Sequence, residues 1–374
     1  MLGTATLWDS VDLGFKPTKR TWGAEVFPGS SLPNAMVQVS PVTKFHSGAG
    51  YQYEDSVIYG FTHTNKGHWN LCHIPLLPVT GTPTPGDYCS PFSHERESAA
   101  PGYYQVFLDR YGVDAQLSST LRCAFHKYTY PAGAAPAVLA DLQRSNEHVR
   151  AWDIRKEGDN VFAGWQQTGE KMYFYAVANR PVTGIEPVVE GDREVRIVRF
   201  GEGDGALELR IGFSFVSEKN ARENLEAEML GKSFAEVRSE ATATWNDLLG
   251  RIRVEGGTER EKGLFYSSLY RSFLWPALRS DVNGEFTDVD GKVINPGFRY
   301  YTGPSYWDDY RNKLILLGML APDVAADVIS SDVDKGEKRG GFMPTFFHGD
   351  HASAFVAGTY LRGNRGFDVN RAYN

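Results

Sequence analysis

The hydrophobic pattern of this 374-residue chain changes once, near Ser217, and this change limits the folds that the chain can adopt. From Trp22 to about Val216 the chain consists of short apolar or alternating runs, which are typical of strands. Pro-Gly and Gly-rich turn signals separate these runs, and no amphipathic helix lies between them. The first half therefore predicts an antiparallel β-sandwich, with its clearest strands at residues 35–39, 103–108, 173–177 and 208–215.

Helix signals dominate the second half of the chain. A stretch rich in helix formers is followed by Gly231, which is the arrangement expected where a helix ends. Ser233 with Glu236 forms the capping-box pattern that opens a helix. Thr258 with Glu261 repeats this pattern at the start of the next helix. Helical spacing then predicts further helices over residues 305–320, 322–333 and 350–361.

The alternating pattern of the first half and the helical spacing of the second half predict a multidomain chain with a β part and an α part. We expect a β-sandwich domain over residues 1–216, a helical linker over 217–252 and the start of a helical barrel over 253–374. A closed ring of helices needs more than the three or four helices predicted after the linker, because each would otherwise keep one apolar face uncovered. We therefore expect a missing C-terminal segment or a partner chain to complete the barrel.

Charge and hydropathy exclude two classes of protein. The chain has 39 Lys and Arg against 46 Asp and Glu, a net charge of −7 and no basic block, so it lacks the positive surface of a nucleic-acid-binding protein. It also lacks an apolar run of the roughly 18–20 residues that span a membrane. Cys72, Cys89 and Cys123 include no C-x-x-C pair, which favours buried free thiols over a disulfide scaffold or a zinc site.

Aromatic residues are the unusual part of the composition, at 13% of the chain. Many of the 8 Trp, 19 Tyr and 22 Phe stand among Gly, Asn, His and Asp instead of in apolar runs. A sugar offers C–H faces that stack on rings and hydroxyls that pair with polar side chains, so this mixture favours a carbohydrate partner. A β-rich core is also rich in Tyr and Phe, and composition alone does not separate the two interpretations.

Residues 60–73 form the densest polar and aromatic cluster of the first half. His63, His68 and Trp69 are predicted to lie in a loop after a strand, a position from which functional side chains often project. We expect them to form a binding lip. Together with His73, the histidines follow one another at five residues twice, a spacing that matches neither helical metal ligation nor a zinc finger. Hydrogen bonding within the loop is therefore favoured over a metal site.

In the second half, Trp307, Asp308 and Arg311 form a candidate sugar-binding group. Asp308 and Arg311 are three residues apart, so a helix would bring them to one face. The carboxylate can accept hydrogen bonds from two sugar hydroxyls, the guanidinium can donate through its planar fork, and the indole adds an apolar wall. The alternative interpretation is that Asp308 closes a capping box with Ser305.

Asp350 follows a Gly-rich aromatic segment and begins the last predicted helix together with His351. An Asp at this position is ordinarily a helix cap, and the helix dipole keeps its carboxylate ionised. Glycoside hydrolysis uses paired carboxylates, and Asp308 with Asp350 is the pair that these residues offer as acid and base. No phosphate-binding Gly-rich motif follows a predicted strand and no G-x-S-x-G elbow is present, which argues against nucleotide cofactors and serine-esterase chemistry.

Short motifs follow one another in order along nearly the whole chain. They are Phe27-Pro-Gly29, Met36-Val-Gln-Val-Ser-Pro41, Gly50-Tyr-Gln-Tyr53, Ile58-Tyr-Gly-Phe-Thr-His63, Ser93-His-Glu-Arg-Glu97, Pro101-Gly-Tyr-Tyr104, Ala221-Arg-Glu-Asn-Leu225, Trp245-Asn-Asp-Leu-Leu249, Phe265-Tyr266, Leu269-Tyr-Arg271, Trp307-Asp-Asp-Tyr-Arg311, Gly340-Gly341 and Gly349-Asp-His-Ala352. In this order they resemble the N-terminal half of the glycoside hydrolase family 92 α-mannosidases, which are calcium-dependent and exo-acting. So many ordered matches are more specific than any single motif.

The resemblance implies an N-terminal β-sandwich packed on a C-terminal (α/α)6 barrel, and hydrolysis of terminal α-mannosides with inversion, which needs carboxyl groups roughly 6.5–9.5 Å apart. It also implies that Ca²⁺ holds and distorts the terminal mannose and helps to orient the attacking water. Trp307, Asp308 and Arg311 would line the terminal-sugar subsite, and the 63–69 loop would approach from the sandwich. The family's general acid, base and most calcium ligands lie beyond Asn374, so the resemblance implies a truncated and inactive chain that holds no metal itself.

The resemblance leaves specificity and compartment open. Residues 65–69 differ from the small-residue segment usual after the matching His-Thr, and Asp309 stands where the family has Thr. A noncatalytic carbohydrate-binding fragment that keeps Asp308, Arg311 and the aromatic loop is the alternative function. The family suggests a secreted or periplasmic protein, although residues 1–19 lack the pattern of a signal peptide.

Overall fold

A computed structural model describes residues 27–66, 69–343 and 349–374 of the chain. Strands come first along the sequence and helices follow them. The described strands are β1 (Ser30–Ser31), β2 (Gln38–Val42), β3 (Val57–Ile58), β4 (Gly60–Thr62), β5 (Asn65–Lys66), β6 (Trp69–Asn70), β7 (Leu76–Val79), β8 (Ser90–Pro91), β9 (Glu97–Ala100), β10 (Tyr103–Leu108), β11 (Val113–Ser119), β12 (Cys123–Thr129), β13 (Ala137–Ala140), β14 (Ala151–Gly158), β15 (Val161–Gln167), β16 (Lys171–Ala178), β17 (Val182–Glu190), β18 (Arg193–Phe200), β19 (Leu207–Ser214), β20 (Phe286–Thr287) and β21 (Val293–Ile294).

Two large sheets form the predicted β-sandwich. Of the described strands, seven make one sheet in the order β1-β2-β4-β7-β13-β18-β17, and eight make the other in the order β14-β15-β16-β19-β12-β11-β10-β9. All of their pairings are antiparallel. Buried apolar side chains from both sheets belong to one core, which is how two half-apolar sheets remove their inner faces from water.

Strand β16 shows how the alternating pattern produces this packing. Met172, Phe174 and Ala176 are buried in the core, while Tyr173 and Tyr175 point to the opposite face, as expected for a period of two. The outer face is not wholly exposed, because a helix after the sandwich packs on β16 and β19. The outward aromatic residues of this strand are therefore partly explained by packing.

The predicted strands agree with the structure in three cases and differ in one. Residues 103–108 form β10 with the predicted bounds, and residues 173–177 and 208–215 fall largely within β16 and β19. The prediction of a strand at 35–39 is wrong at its start, since β2 begins at Gln38. Met36 and Val37 are buried, but their N–H groups both donate to the Leu121 carbonyl, so an apolar run is buried here without being a strand.

The helices of the second half are bounded largely by the predicted signals. Ser233 with Glu236, and Thr258 with Glu261, form complete capping boxes, and Gly231 has the left-handed φ of +92° that favours glycine after a helix. The described helices are α1 (Glu218–Glu228), α2 (Phe234–Leu249), α3 (Glu259–Ser272), α4 (Tyr306–Asp309), α5 (Lys313–Leu320), α6 (Pro322–Glu337), α7 (His351–Leu361) and α8 (Val369–Tyr373).

Two helix predictions are corrected. The helix expected over 305–320 is two helices, α4 and α5, because Asn312 leaves helical geometry at φ −135° and ψ −82° and its side chain caps α5. The helix expected over 322–333 continues to Glu337, where Lys335 and Lys338 pair with acidic residues one turn earlier. Sequence patterns also did not predict α8 or the β20–β21 hairpin.

The sandwich and the helices are joined by direct hydrogen bonds. The indole N–H of Trp245 in α2 donates to the Ser31 carbonyl at 2.6 Å. The side-chain amides of Asn34 and Gln38 donate to carbonyls of the segment after α3, at 2.7 and 2.6 Å. Residues of both halves also belong to one continuous apolar core, so the described parts pack as one body.

The expectations on thiols and membrane spans can be compared with the same structure. All three cysteines are free, Cys72 and Cys123 are buried and Cys89 is half-buried, which confirms the prediction of free thiols for all three and of burial for two. In the part of the chain that the structure describes, no helix is both long and apolar enough to cross a membrane.

Candidate active site

Helix α4 carries the candidate sugar-binding residues on an exposed surface. Trp307 is 51% exposed and Asp308 is also exposed, whereas Tyr306 beside them is fully buried. The Ser305 hydroxyl donates to Asp308 Oδ2 at 2.6 Å, but the Ser305 side chain makes no capping bond to the helix backbone. The capping box that was the alternative for Asp308 is therefore absent.

Arg311 lies in the turn that follows α4 and not on the helix itself. The helix ends at Asp309, with Tyr310 as its C-cap, so the predicted helix is shorter than the spacing of Asp308 and Arg311 assumed. Arg311 is exposed, and its guanidinium carbon lies 4.9 Å from the ring centroid of Tyr310. Tyr310 in turn stacks on His351, with the centroids 4.4 Å apart and an interplanar angle of 9°. The segment after α4 thereby contacts the start of α7.

Asp309 behaves differently from its neighbour Asp308. Its Oδ2 lies 2.9 Å from Lys313 Nζ, and the side chains are only 14% and 19% exposed. This ion pair joins the end of α4 to the start of α5. Asp309, which stands where the family has Thr, is therefore neutralised by a lysine, while Asp308 beside it remains exposed to solvent.

Asp350 caps α7, as one interpretation of its position predicted. Its Oδ1 accepts a hydrogen bond from the Ser353 N–H at 3.2 Å. Helices α4 and α7 are in contact, so the structure brings Asp308 and Asp350 to neighbouring helices. Asp350 is itself exposed to solvent.

His63 lies in the interior of the sandwich and not at a binding lip. It is fully buried, its Nε2 is 3.0 Å from His126 Nε2, and its ring lies 4.5 Å from that of Phe213. Burial lowers the pKa of His63 to about 3, so the ring is neutral at ordinary pH. The expectation that His63 contacts a sugar is corrected: its side chain has the inward direction of the strand residue Phe61.

The rest of the expected lip is described only in part. His68 lies outside the described residues, and for Trp69 the structure gives the backbone, which pairs with Lys66 in a short hairpin. His73 is buried, with Nδ1 2.7 Å from the Thr64 hydroxyl and Nε2 3.0 Å from Glu147 Oε2. The hydrogen bond from His73 lowers the pKa of Glu147 to about 2. For His63 and His73, hydrogen bonding within the protein is therefore the observed arrangement.

The metal interpretation of these histidines finds no support in the described ranges. Within them, no group of three or more His, Cys, Asp or Glu side chains is placed so that it could hold a metal ion. His63 and His126 come close together, but the third partner of this cluster is the Tyr128 hydroxyl at His126 Nδ1. A neutral phenol is a poor metal ligand compared with a carboxylate or thiolate.

A buried polar group behind α4 was not predicted from the sequence. The Tyr306 hydroxyl donates to Asp332 Oδ2, and Lys335 Nζ lies 2.8 Å from the other oxygen of the same carboxylate. Asp332 and Lys335 are three residues apart on α6 and both are buried. The signal that could have found them is this pair of opposite charges on an otherwise apolar helix face.

A two-sheet sandwich packed on helices carries an exposed indole, carboxylate and guanidinium beside the helical layer, which are side chains suited to binding a sugar. The family model described as "Glycosyl hydrolase family 92 N-terminal domain" matches residues 15–224. The model described as "Glycosyl hydrolase family 92 catalytic domain" matches residues 220–374. The chain belongs to glycosyl hydrolase family 92. The resemblance inferred from the ordered motifs is thus confirmed, together with the sandwich-then-helices fold class.

Solved structures of the same family superpose on nearly the whole chain. A family GH92 α-mannosidase from Bacteroides thetaiotaomicron is 26% identical, with a TM-score of 0.87 over 94% of this chain and 54% of its own. An inverting family GH92 mannosidase from Bacteroides thetaiotaomicron VPI-5482 is 24% identical, with a TM-score of 0.85 over 99% of this chain and 54% of its own, and supports the fold alone. The chain therefore spans about half the length of these relatives.

Comparison of sequences also identifies a glycosidase as a relative. An "Uncharacterized secreted glycosidase" of Arthroderma benhamiae (strain ATCC MYA-4681 / CBS 112371) is 25% identical over 318 residues, which cover 70% of this chain and 41% of the relative. The Bacteroides thetaiotaomicron α-mannosidase has also been solved in complex with mannoimidazole. Family membership is consistent with calcium dependence and with a glycan ligand.

Proposed function

We propose that this chain is part of an exo-acting α-mannosidase-like glycoside hydrolase, which removes terminal α-mannosides from glycans with inversion. The terminal sugar is bound at the exposed surface of α4, with Trp307 as the apolar wall and Asp308 and Arg311 as the polar partners. The observation that carries the proposal is the family match across both halves of the chain. The glycosidase and α-mannosidase names of the similar proteins support the same reaction.

The local geometry supports the assignment of the sugar to α4. Asp308 is exposed and held by a single side-chain hydrogen bond from Ser305, which leaves acceptor positions for two vicinal hydroxyls. Asp309 is engaged by Lys313, so the two adjacent carboxylates have separate roles. Half-exposed tryptophan rings provide the apolar surface on which a sugar ring stacks.

Calcium is not assigned to residues of the described ranges. Within these ranges no cluster of acidic, His or Cys side chains is suited to a metal, whereas Ca²⁺ takes six to eight oxygen ligands, usually with several carboxylates. We propose that the calcium ligands, the general acid and the general base come from other parts of the complete enzyme. The fallback pair of Asp308 and Asp350 is weakened because Asp350 caps α7.

The domain division, the partners and the location also belong to the proposal. We assign residues 1–216 to the sandwich, 217–252 to a helical linker and 253–374 to an incomplete (α/α)6 barrel, which a further segment or a partner chain completes. The ligand is an oligosaccharide or glycan, in keeping with the mannoimidazole complex of a relative. A secreted or periplasmic location is supported by the relative described as a secreted glycosidase.

A second candidate is a noncatalytic carbohydrate-binding fragment. The observation that favours it is the engagement of Asp350 Oδ1 as a helix cap, which occupies part of one of the two carboxylates that these residues offered for catalysis. In this function α4 binds the sugar as described above, and no bond is broken. The two candidates share the sugar site and differ in whether the complete protein breaks the glycosidic bond.

Binding and turnover measured on the same protein test both candidates. Calorimetric titration of the chain with mannoimidazole is expected to show binding, while the chain alone releases no 4-nitrophenol from 4-nitrophenyl α-mannopyranoside. Hydrolysis by the purified chain would show that its acid and base lie within it. Absence of mannoimidazole binding would contradict the sugar site itself.

Substitution of the two neighbouring carboxylates locates the site. Asp308→Ala is expected to weaken mannoimidazole binding at least tenfold, because the lost hydrogen bonds from sugar hydroxyls are to a charged acceptor. Asp309→Ala serves as the matched control, since its carboxylate pairs with Lys313 and is not assigned to the sugar, and it should weaken binding clearly less than Asp308→Ala. Equal losses in the two variants would contradict the assigned role of Asp308.

A further inference from the structure

Helix α4 depends on contacts with other elements for its position, and one of these is the Asp309–Lys313 ion pair to α5. It contains 4 residues, and the side chain before it makes no capping bond. A single helical turn fixes several backbone torsions for very few hydrogen bonds, so it is unstable without tertiary contacts. The positions of the exposed residues Trp307 and Asp308 therefore depend partly on the contacts that hold the backbone of this turn.

The contact that holds α4 in a defined direction is polar. Tyr306 is fully buried, and its hydroxyl donates to Asp332 Oδ2 on α6. Lys335 Nζ lies 2.8 Å from Asp332 Oδ1 and 2.9 Å from the Tyr301 carbonyl oxygen. Both oxygens of the buried carboxylate are thus used, and the opposite charge offsets the cost of burying it.

The residues of this network that belong to α6 lie on a long helix packed in the core. Helix α6 is 16 residues long, begins with Pro322 at its first position and contributes Ala325, Val328 and Ile329 to the core. Its Ser331 hydroxyl accepts a hydrogen bond from the Tyr301 N–H at 3.0 Å, which fixes the chain leading to α4. The network therefore joins a single turn at the surface to a long buried helix.

Apolar contacts alone do not fix the orientation of α4 as closely as this polar network does. Tyr306 also packs against Phe355 of α7 with ring centroids 6.0 Å apart and an interplanar angle of 51°. Ring packing of this kind tolerates rotation and sliding, because dispersion attraction varies little with direction. A hydrogen bond to a charged acceptor at a fixed place is strongly directional.

We propose that Asp332 and Lys335 are positioning residues for the sugar site and act through the Tyr306 hydroxyl to hold Trp307 and Asp308 in their binding geometry. The sugar-binding part of this inference rests on the proposed function, whereas the anchoring of α4 does not. Asp332 is the acceptor that fixes Tyr306. Lys335 holds this carboxylate in place through their ion pair, and neither residue contacts the sugar.

Tyr306→Phe tests the proposal with the smallest change, since it removes the hydroxyl and keeps the buried ring. Amide hydrogen exchange over residues 304–312 should become roughly tenfold faster, and mannoimidazole should bind roughly tenfold more weakly, because a hydrogen bond to a charged group is lost. Exchange in β10 and β11 should not change. Asp332→Asn should shift both readouts in the same direction, because the neutral amide is a weaker acceptor.

Tyr270→Phe is the matched control. Tyr270 is also a fully buried tyrosine of the helical half, but its hydroxyl has no hydrogen-bond partner among the described residues, so its removal should leave exchange over 304–312 and affinity for mannoimidazole unchanged. Equal effects in this variant would indicate a general loss of stability and contradict the proposal.

The remaining outcomes separate this inference from the proposed function. Unchanged exchange over 304–312 in both Tyr306→Phe and Asp332→Asn would overturn the anchoring of α4. Faster exchange with unaltered affinity would overturn the positioning role. If the original chain binds no mannoimidazole, the proposed function fails, and hydrogen exchange still decides whether the network anchors α4.

Discussion

At the scale of single residues, the two buried histidines of the sandwich show how burial changes the protonation of a side chain. His63 and His126 share a hydrogen bond between their Nε2 atoms, and His126 Nδ1 pairs with the Tyr128 hydroxyl. Burial lowers the pKa of both rings, for His63 to about 3. A charged imidazole would have to lose its water without gaining an acidic partner, so both rings stay neutral in the folded protein.

This burial makes stability dependent on pH. In the unfolded chain His63 returns to an ordinary pKa near 6.5, so between about pH 6.5 and pH 3 the unfolded state binds more protons than the folded state. The free energy of unfolding should therefore fall as pH is lowered, by about 1.4 kcal/mol per pH unit for this residue. Urea unfolding measured between pH 7 and pH 4.5 should show this slope.

Two variants identify the residue responsible for the slope. His63→Gln retains a side chain that can hydrogen-bond to His126 and should make the slope shallower by about 1.4 kcal/mol per pH unit. His148→Gln is the control, because His148 is exposed to solvent, and it should leave the slope unchanged. A slope that stays the same in His63→Gln would show that its ring does not resist protonation in the folded state.

The same residues show how far a local pattern predicts a site. The dense polar cluster at 60–73 was found from the sequence, yet the inward direction of His63 depends on its position after the buried β4 residue Phe61 and on the facing strand that carries His126. Asp308 and Asp309 are adjacent and chemically identical. Lys313, four residues after Asp309, pairs with that carboxylate, and this i,i+4 spacing separates the roles of the two residues.

At the scale of secondary structure, helix starts were predicted better than helix ends. A capping box consists of residues three apart, so local sequence contains nearly all the information that it needs. The extension of α6 to Glu337 is instead accompanied by a contact with another element, the pairing of Lys338 with Asp288 at 3.0 Å. Helix existence followed from periodicity, but this helix end involves tertiary packing.

The capping box of α3 gives a quantitative prediction. Thr258→Ala removes the hydroxyl that accepts a hydrogen bond from the Glu261 N–H and should lower the free energy of unfolding by about 1 kcal/mol. Thr244→Ala is the control on α2, where an exposed hydroxyl bonds to the Glu240 carbonyl one turn earlier. Because Ala favours the helix interior, this variant should be as stable as the original chain or slightly more stable. Thermal unfolding of both variants checks the contrast, which a loss in Thr244→Ala equal to that in Thr258→Ala would contradict.

At the scale of the whole molecule, the sequence predicted two halves but not the junction between them. The change from a period of two to a helical period is visible in the apolar residues alone. The junction is formed by polar residues far apart in the chain, for example Arg122 Nη1, which lies 2.6 Å from Glu228 Oε1, and Trp245, which donates to Ser31. No local pattern marks such pairs, because each partner looks like an ordinary surface residue until the two halves pack.

Asp281 is the residue through which this junction can be tested. It is 1% exposed, and its carboxylate accepts hydrogen bonds from Ser214 at the end of β19 at 2.6 Å and from Asn220 and Asn224 of α1 at 2.9 and 2.7 Å. The segment that carries Asp281 also meets Arg122, whose Nε donates to the Ser280 carbonyl at 2.8 Å. One buried carboxylate therefore joins the sandwich, the first helix and the chain that leads to the sugar site.

Asp281→Asn keeps the size of this side chain but turns one acceptor oxygen into a donor. The new N–H₂ group must face at least one of the donors that now point at the carboxylate, so the free energy of unfolding should fall by about 2 kcal/mol. Because both halves share one core, hydrogen exchange in β10 and in α6 should lose protection together at a lower urea concentration. Asp290→Asn, on the exposed β20–β21 turn, should leave both segments unchanged. Loss of protection in α6 alone would show that the helices unfold independently of the sandwich and that the junction does not make the molecule one cooperative unit.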